Sequence, residues 1–435
     1  MTFASAPKKP AAANTAGSEP RYGVALAVTT TIFFMWGFLT SLNDVLIPHF
    51  KSVFDLDYTR SMLIQFAFFG AYFVMSLPAG RVVDRLGYRR GIVCGLVVAG
   101  LGALLFLPAA QIQSYGLFLV ALFVLASGIT VLQVAANPYV SLLGNEARAS
   151  SRLTLAQALN SLGHTLGPAI GGLLILSVAV LGADALARLT PAELSAYRDT
   201  QAAAVQLPYL GLALTLFALA LFVYLFRLPQ LAEAGEGENT APQTFADALR
   251  HRSLRLATIG IFLYVGAEVA IGSFLINYLS LPQIGNLSEA SAANYVSYYW
   301  GGAMIGRFAG SALLRHVAPP RLLALFAAIA ALLLLATMAG SGLFAVVSVV
   351  AIGLFNSVMF PTLFTLGIRG LGPLTARGSS VLVMAIVGGA IVPLLMGMLA
   401  DRVGPQLAFA LPLLCYGYLV WYGWYTQRAT ADDAS

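Results

Sequence analysis

Twelve apolar segments constrain this chain more than any other feature. They run 23–47, 60–79, 89–109, 115–142, 153–179, 207–227, 255–281, 294–314, 321–339, 342–368, 379–399 and 406–426. A bilayer-crossing helix takes about 20 mainly apolar residues, and inside lipid only helices and closed barrels can satisfy their own backbone. Runs of this length predict an all-α polytopic membrane protein. The charged fraction agrees, at 10% against roughly 25% in soluble domains, and the mean hydropathy is +0.82. The first segment is too long for a signal sequence and reads as a retained span. Cys94 and Cys415 lie in distant apolar segments, so they read as packing residues, with no disulfide and no metal site.

The basic residues orient the chain. With the N-terminus inside, 19 of the 24 Lys and Arg residues fall in cytoplasmic segments. That bias predicts twelve spans with both termini cytoplasmic. It also accounts for the net charge of +6 without a nucleic-acid partner. Residues 1–22 and 429–435 read as cytoplasmic tails, and the polar stretch 182–206 as an extramembrane loop, helical in part. The glutamate-rich stretch 228–253 reads as a cytoplasmic linker between two six-helix units, 23–227 and 254–428.

The two units echo each other. Asn43 with Pro48 recurs as Asn277 with Pro282, and Gly80-Arg81 recurs as Gly306-Arg307. Asn137-Pro138 through Gly144 is loosely mirrored by Asn356 through Gly367, and Gly167-Pro168 with Gly171-Gly172 by Gly388-Gly389 with Pro393 and Gly397. The fold expected is therefore twelve transmembrane helices in two pseudo-symmetric six-helix bundles. Duplicated halves around a midplane site are a transporter architecture.

Polar residues inside the spans mark the candidate site. Asp44 sits among Phe, Trp, Leu and Ile, where a carboxylate is costly and by default marks an ion or substrate path. Trp36, Thr40 and Asp44 share one helix face with Asn43 beside it. Ring, hydroxyl, amide and carboxyl along one wall suit a sugar or other polyol. Gln133 and Asn137 make one polar face on span four, and Gln157, Asn160 and His164 another on span five. Amides donate and accept at once and so match hydroxyls; their alternative use is helix-to-helix bonding. Asn277 and Asn356 are the second-half candidates, with Tyr299, Trp300 and Phe360 as ring partners. Glu268 is the second intramembrane carboxylate.

The loop between spans two and three reads Gly80-Arg81-Val-Val-Asp84-Arg85-Leu-Gly87-Tyr-Arg89-Arg90. Glycines permit a tight inner turn, and the Asp–Arg set can latch two halves in one state and release them in another. The related Gly397-xxx-Asp401-Arg402-x-Gly404 falls on the outer side by the charge count and reads as a capped turn.

This motif on twelve duplicated spans resembles the major facilitator superfamily. Phe34–Gly37, Leu42–Pro48, Gln133–Tyr139, Tyr264–Glu268 and Ile305–Phe308 narrow the resemblance to the fucose–proton symporter family, in its glucose/galactose and N-acetylglucosamine branch. The resemblance implies proton-driven sugar import by alternating access, across a bacterial-type inner (plasma) membrane. It places Gln133, Gln157 and Asn160 at sugar-binding positions and matches Asp44 directly. The fucose member has a glutamate where this chain has Gln133, and a glutamine where it has Glu268. Asp44 is then the expected main proton carrier, and Glu268 a second titrating group, a sugar ligand or a structural hydrogen-bonder. Trp36, Asn43, Gln133, Asn137, Gln157, Asn160, Asn277 and Asn356 are expected around the sugar. Gly80, Arg81, Asp84, Arg85, Gly87, Arg89, Arg90 and Arg307 are expected to gate.

An enzyme is not expected, since no phosphate loop, zinc spacing or paired catalytic motif is present. No cofactor is expected beyond the coupling ion, a proton or alternatively sodium. A drug–proton antiporter is the rival within transport. The expected partners are a small sugar and the lipid bilayer, around a monomer.

Overall fold

The computed structural model describes residues 22–54, 58–175, 188–226, 228–229 and 244–432, with the side chains of 42–62 and some shorter stretches outside that description. Most of the expected N-terminal tail and of the linker, 1–21 and 230–243, lies outside the described residues. The described residues form helices and short connections. Span 1 is Tyr22–Phe54, spans 2 and 3 lie in Tyr58–Gln111, span 4 is Tyr115–Leu142, span 5 Ala149–Ile175 and span 6 Pro191–Leu225. After a short helix, Phe245–Arg250, come span 7 at Arg252–Leu279, span 8 at Glu289–Leu313 and span 9 at Pro319–Ala339. Span 10 is broken into Gly342–Asn356 and Met359–Ile368, and span 11 into Thr375–Met384 and Gly388–Val403. Span 12 comprises Pro405–Ala408 and Ala410–Asp432.

Nine stretches of the described residues are long and apolar enough to cross a bilayer, and one of them, Phe66–Gln111, holds spans 2 and 3 together. Spans 5 and 8 complete the twelve. They fall short in mean hydropathy because polar residues run through their middles, and these two helices face each other across the centre of the molecule.

The packing repeats with a period of six spans. Span 1 packs on span 5, spans 2 and 3 on span 4, and span 6 on the 2–3 pair. Span 7 likewise packs on span 11, spans 8 and 9 on span 10, and span 12 on span 9. Two larger exchanged contacts join the bundles, span 5 with span 8 and span 2 with span 11, and smaller ones join span 4 with span 11 and span 5 with span 10. Small residues bring the paired helices into backbone contact, as expected where lipid supplies no hydrophobic drive between helices. A Cβ at Gly163 would stand 2.2 Å from the Phe34 carbonyl oxygen, and one at Gly388 would stand 2.1 Å from that of Phe262.

The two Asp-Arg-x-Gly turns share one geometry. Gly87 has φ 75° and ψ 166° and divides span 2 from span 3; Gly404 has φ 86° and ψ 157° and divides span 11 from span 12. A side chain is strained in that region, which is why both turns need glycine. The Gly404 N–H closes its turn on the Ala400 carbonyl at 2.9 Å, in keeping with the capped turn expected there.

Pro191 at the first helical position and a Thr190–Glu193 capping box make the later part of the polar stretch 182–206 helical, and the apolar part of that helix runs Gln206–Leu225. One departure from the sequence reading has a local cause. Span 10 breaks after Asn356 because Pro361 has no N–H for the Ser357 carbonyl and its ring crowds it.

The Gly388→Ala variant is expected to lose about 1–3 kcal/mol of stability, read as a lower melting temperature in detergent. Gly417→Ala, with open space around its Cβ, is expected to stay within ~0.5 kcal/mol of the parent.

Candidate functional site at the seam between the bundles

Three polar groupings meet at mid-depth. The first belongs to spans 1, 2, 4 and 5. The Trp36 ring lies 5.1 Å from that of Phe33, and its indole faces the Tyr72 hydroxyl. Tyr72 also accepts from Gln133 Nε2 at 2.7 Å, which leaves Gln133 Oε1 buried without a hydrogen-bond partner. Asn160 Nδ2 donates to the Phe33 carbonyl at 2.9 Å and ties span 5 to span 1. Gln157 is buried about one turn away on span 5. Asn137, one turn nearer the basic end of span 4 than Gln133, is fully buried, and neither amide atom has a hydrogen-bond partner among the described residues. Thr40 uses its hydroxyl on its own helix, donating to the Trp36 carbonyl at 2.9 Å. Asn43 and Asp44 continue span 1 beyond Trp36, with side chains outside the described ones.

The second grouping is a closed lattice inside the second bundle. Asn356 Nδ2 donates to the Tyr299 hydroxyl at 2.8 Å, and its Oδ1 accepts from the Tyr416 hydroxyl at 2.6 Å. The Asn356 carbonyl, at the break in span 10, accepts from the Tyr264 hydroxyl at 3.0 Å. Tyr299 in turn donates to the Glu268 carbonyl at 3.1 Å. All four side chains of this lattice are sealed from solvent.

The third grouping crosses the seam. Arg307 Nη2 lies 3.6 Å from Glu268 Oε1, with side chains 13% and 9% exposed. Arg307 Nη1 donates to Ser161 Oγ on span 5. His164, three residues further along that helix, also faces Arg307.

The basic end of the bundle is shut. Arg377 Nη2 meets Asp84 Oδ2 at 2.6 Å. Ser151 and Ser311 bond reciprocally, each hydroxyl donating to the other residue's carbonyl, at 2.7 and 3.0 Å. Ser150 and Thr365 join at 2.6 Å, and Ser379 Oγ donates to the Val134 carbonyl at 2.9 Å. That carbonyl is free because Pro138, four residues on, has no N–H to offer it. A Cβ at Gly80 would come within 2.6 Å of Ser380 Oγ, so the glycine lets spans 2 and 11 touch. Arg81 lies over the Phe245 ring at 5.3 Å, and Arg85 lines the same cavity as Asp84 and Arg377. Arg89 Nε bonds the Val223 carbonyl at 3.3 Å, holding the turn against span 6, while Arg90 is exposed. Every cross-bundle hydrogen bond among the described residues lies at this end or at mid-depth.

Three expected site residues fall elsewhere than their sequence context suggests. Arg307, grouped with the inner loop, sits inside the bundle, about two turns from the end of span 8. The bias of the remaining basic residues is unchanged by its removal. Asn277 is exposed near the outer end of span 7, about 13 Å along the helix from Glu268. Asn356 has every polar group engaged within its own bundle. Tyr72, Tyr264, Tyr416, Ser161 and Arg377 carry contacts that the sequence reading did not assign. Tyr264 was within reach of it, one helical turn from Glu268, whereas a serine or tyrosine in an apolar run gives no such signal.

A twelve-helix bundle duplicated in halves, shut at one end, with polar groups held at mid-depth across its seam, is a membrane transporter rather than an enzyme. The chain belongs to the major facilitator superfamily, whose family model matches residues 28–385. It is 53% identical over 406 residues to a glucose/galactose transporter of Brucella abortus, covering 93% of this chain and 95% of that one. It is 38% identical over 411 residues to the L-fucose-proton symporter of Escherichia coli, covering 93% of each. A crystal structure of the transporter FucP in the outward conformation superposes with a TM-score of 0.87 at 37% identity, over 93% of this chain and 99% of that one. These relatives place the chain in the fucose–proton symporter family.

The lattice and the amide face are expected to respond differently to truncation. Asn356→Ala leaves the buried Tyr416 hydroxyl unpaired and strips Tyr299 of one of its two bonds, and is expected to lower stability by about 1–3 kcal/mol, seen in thermal melts. Gln157→Ala, which removes no side-chain bond of that lattice, is expected to keep the melting temperature within a few degrees of the parent in the same melts.

Proposed function

We propose that this chain is a secondary active transporter that imports a hexose of the glucose/galactose type, or N-acetylglucosamine, together with a proton. The observation that carries the reading is the mid-depth belt of amides, Gln133, Gln157 and Asn160, at the seam of a bundle shut at one end. Buried amides and an indole present donors, acceptors and a ring face, which is what a sugar offers in return. The kinship to a glucose/galactose transporter and to an L-fucose-proton symporter supports the substrate class and the coupling ion. Trp36, Asn43 and Asn137 complete the proposed sugar wall. Asp44 is the proposed proton carrier, since no Lys or Arg lies within the middle of the first six apolar segments to balance it. Protonation removes the charge that would otherwise oppose reorientation of the loaded carrier.

The Lys and Arg distribution supports an inner-membrane protein with both termini in the cytoplasm. The shut basic end is then the cytoplasmic one, and the conformation described is outward-facing. The Asp84–Arg377 pair, the serine contacts and Ser379 on the Val134 carbonyl are what must separate for release inside. Sodium in place of the proton is the alternative coupling. A drug–proton antiporter is disfavoured by the amides in register, because such a carrier needs a larger and more apolar cavity.

Radiolabelled glucose, galactose and N-acetylglucosamine uptake into vesicles with an imposed pH gradient tests the proposal. One of these sugars is expected to accumulate at least ~10-fold only with the gradient, and Asp44→Asn is expected to exchange that sugar without accumulating it. Accumulation driven by sodium and indifferent to pH overturns the proton. Movement of none of the sugars under either gradient overturns the sugar. A Ser151→Cys/Ser311→Cys pair is expected to stop uptake when oxidised and to recover on reduction, because the two hydroxyl oxygens stand 3.4 Å apart in this state.

A further inference from the structure

Besides Asp44, Glu268 and Arg307 are the only charged residues set within the middle of an apolar segment. They stand on adjacent helices with a 3.6 Å ionic contact. A guanidinium keeps its charge under all working conditions. Were Glu268 to take a proton, Arg307 would be left as a buried cation with only the Ser161 hydroxyl for company, the arrangement that buried ion pairs tolerate least.

The surroundings offer no substitute. From span 7 itself Tyr264 faces the carboxylate, from span 8 Tyr299, and from span 12 Tyr416; from span 5 His164 faces Arg307. Span 10 contributes Asn356 and no titratable group near the pair, and the acidic and basic residues of span 11 lie at its ends. None of these supplies a second negative charge, and a protonated His164 would add a positive one. Glu268 Oε1 and Arg307 Nε are shut off from solvent and make no hydrogen bond among the described residues. Neither atom is open to a sugar hydroxyl in this state.

We propose that Glu268 stays ionised through the transport cycle as the fixed counter-ion of Arg307, that the neutral pair holds Arg307 against Ser161 across the seam, and that Asp44 alone carries the coupling charge. Both residues are then positioning residues, and the roles of second titrating group and sugar ligand expected for Glu268 fall away. The proposal rests on the sugar–proton reading above.

The test compares wild type, Glu268→Gln, Arg307→Gln and the double Glu268→Gln/Arg307→Gln protein in proteoliposomes. Sugar exchange without a gradient and accumulation under a pH gradient are measured separately. Each single variant breaks a buried pair and is expected to lose at least ~10-fold of its uptake. The double variant, neutral again, is expected to regain gradient-driven accumulation to within about threefold of wild type. A double variant that exchanges sugar but does not accumulate it overturns the proposal. Infrared spectra give a second readout that does not depend on these variants folding. In Asp44→Asn, Glu268 is the one carboxyl left within the middle of a span. At the pH of transport that protein is expected to show no protonated buried carboxyl band, and a persisting band overturns the proposal. A wild-type protein that moves no sugar condemns the sugar reading instead, and the infrared result still judges the ion pair.

Discussion

A helix broken inside a bilayer must hand its freed carbonyls to a donor, and much of this molecule is arranged around that requirement. Pro138 releases the Val134 carbonyl in span 4, and Ser379 arrives from the opposite bundle to meet it. Span 10 breaks ahead of Pro361, and Tyr264 donates to the Asn356 carbonyl at the break. The first donor comes from across the seam and leaves with its bundle. The second belongs to the same bundle and stays. One proline therefore contributes to a contact that transport can undo, and its counterpart to a lattice that transport leaves whole.

The duplication is closer in packing than in polar content. Gly163 against Phe34 and Gly388 against Phe262 are the same backbone approach in the two bundles, and the two Asp-Arg-x-Gly turns have nearly the same dihedrals. The polar interiors have diverged. In the first bundle Tyr72 takes a donor of Gln133 and leaves that amide's acceptor unpartnered. In the second, three tyrosines saturate one asparagine. An interior with unmet hydrogen-bonding capacity can receive a polar guest, whereas a saturated one serves as a rigid wall.

Much of the fold was legible because a bilayer permits few solutions, and twelve apolar runs with one-sided arginines leave little else to build. The amides of spans 4 and 5 were legible for the same reason, since a polar residue in an apolar run needs an explanation. Helix ends and partners were harder to read. Arg307 follows Gly306 as Arg81 follows Gly80, and sequence alone placed both at an inner boundary. Only the register of span 8 against span 7 shows that Arg307 lies deep enough to meet Glu268. Asn356 and Gln133 look alike in sequence, and what separates them is whether tyrosines on other helices converge on the amide. The Ser151–Ser311 pair left no trace, because serine is cheap in a helix and common at close crossings.

Apart from the Asp84–Arg377 pair and the exposed Arg369–Glu146 contact, the hydrogen bonds that shut the basic end come from neutral hydroxyls. Each can be exchanged for a bond to water at little enthalpic cost. Opening this end is then less like breaking a lock than like wetting a dry crack. Water must fill the places of Ser379, Ser151 and Thr365 as the helices part, and the freed Val134 carbonyl becomes one of the first places it can bind.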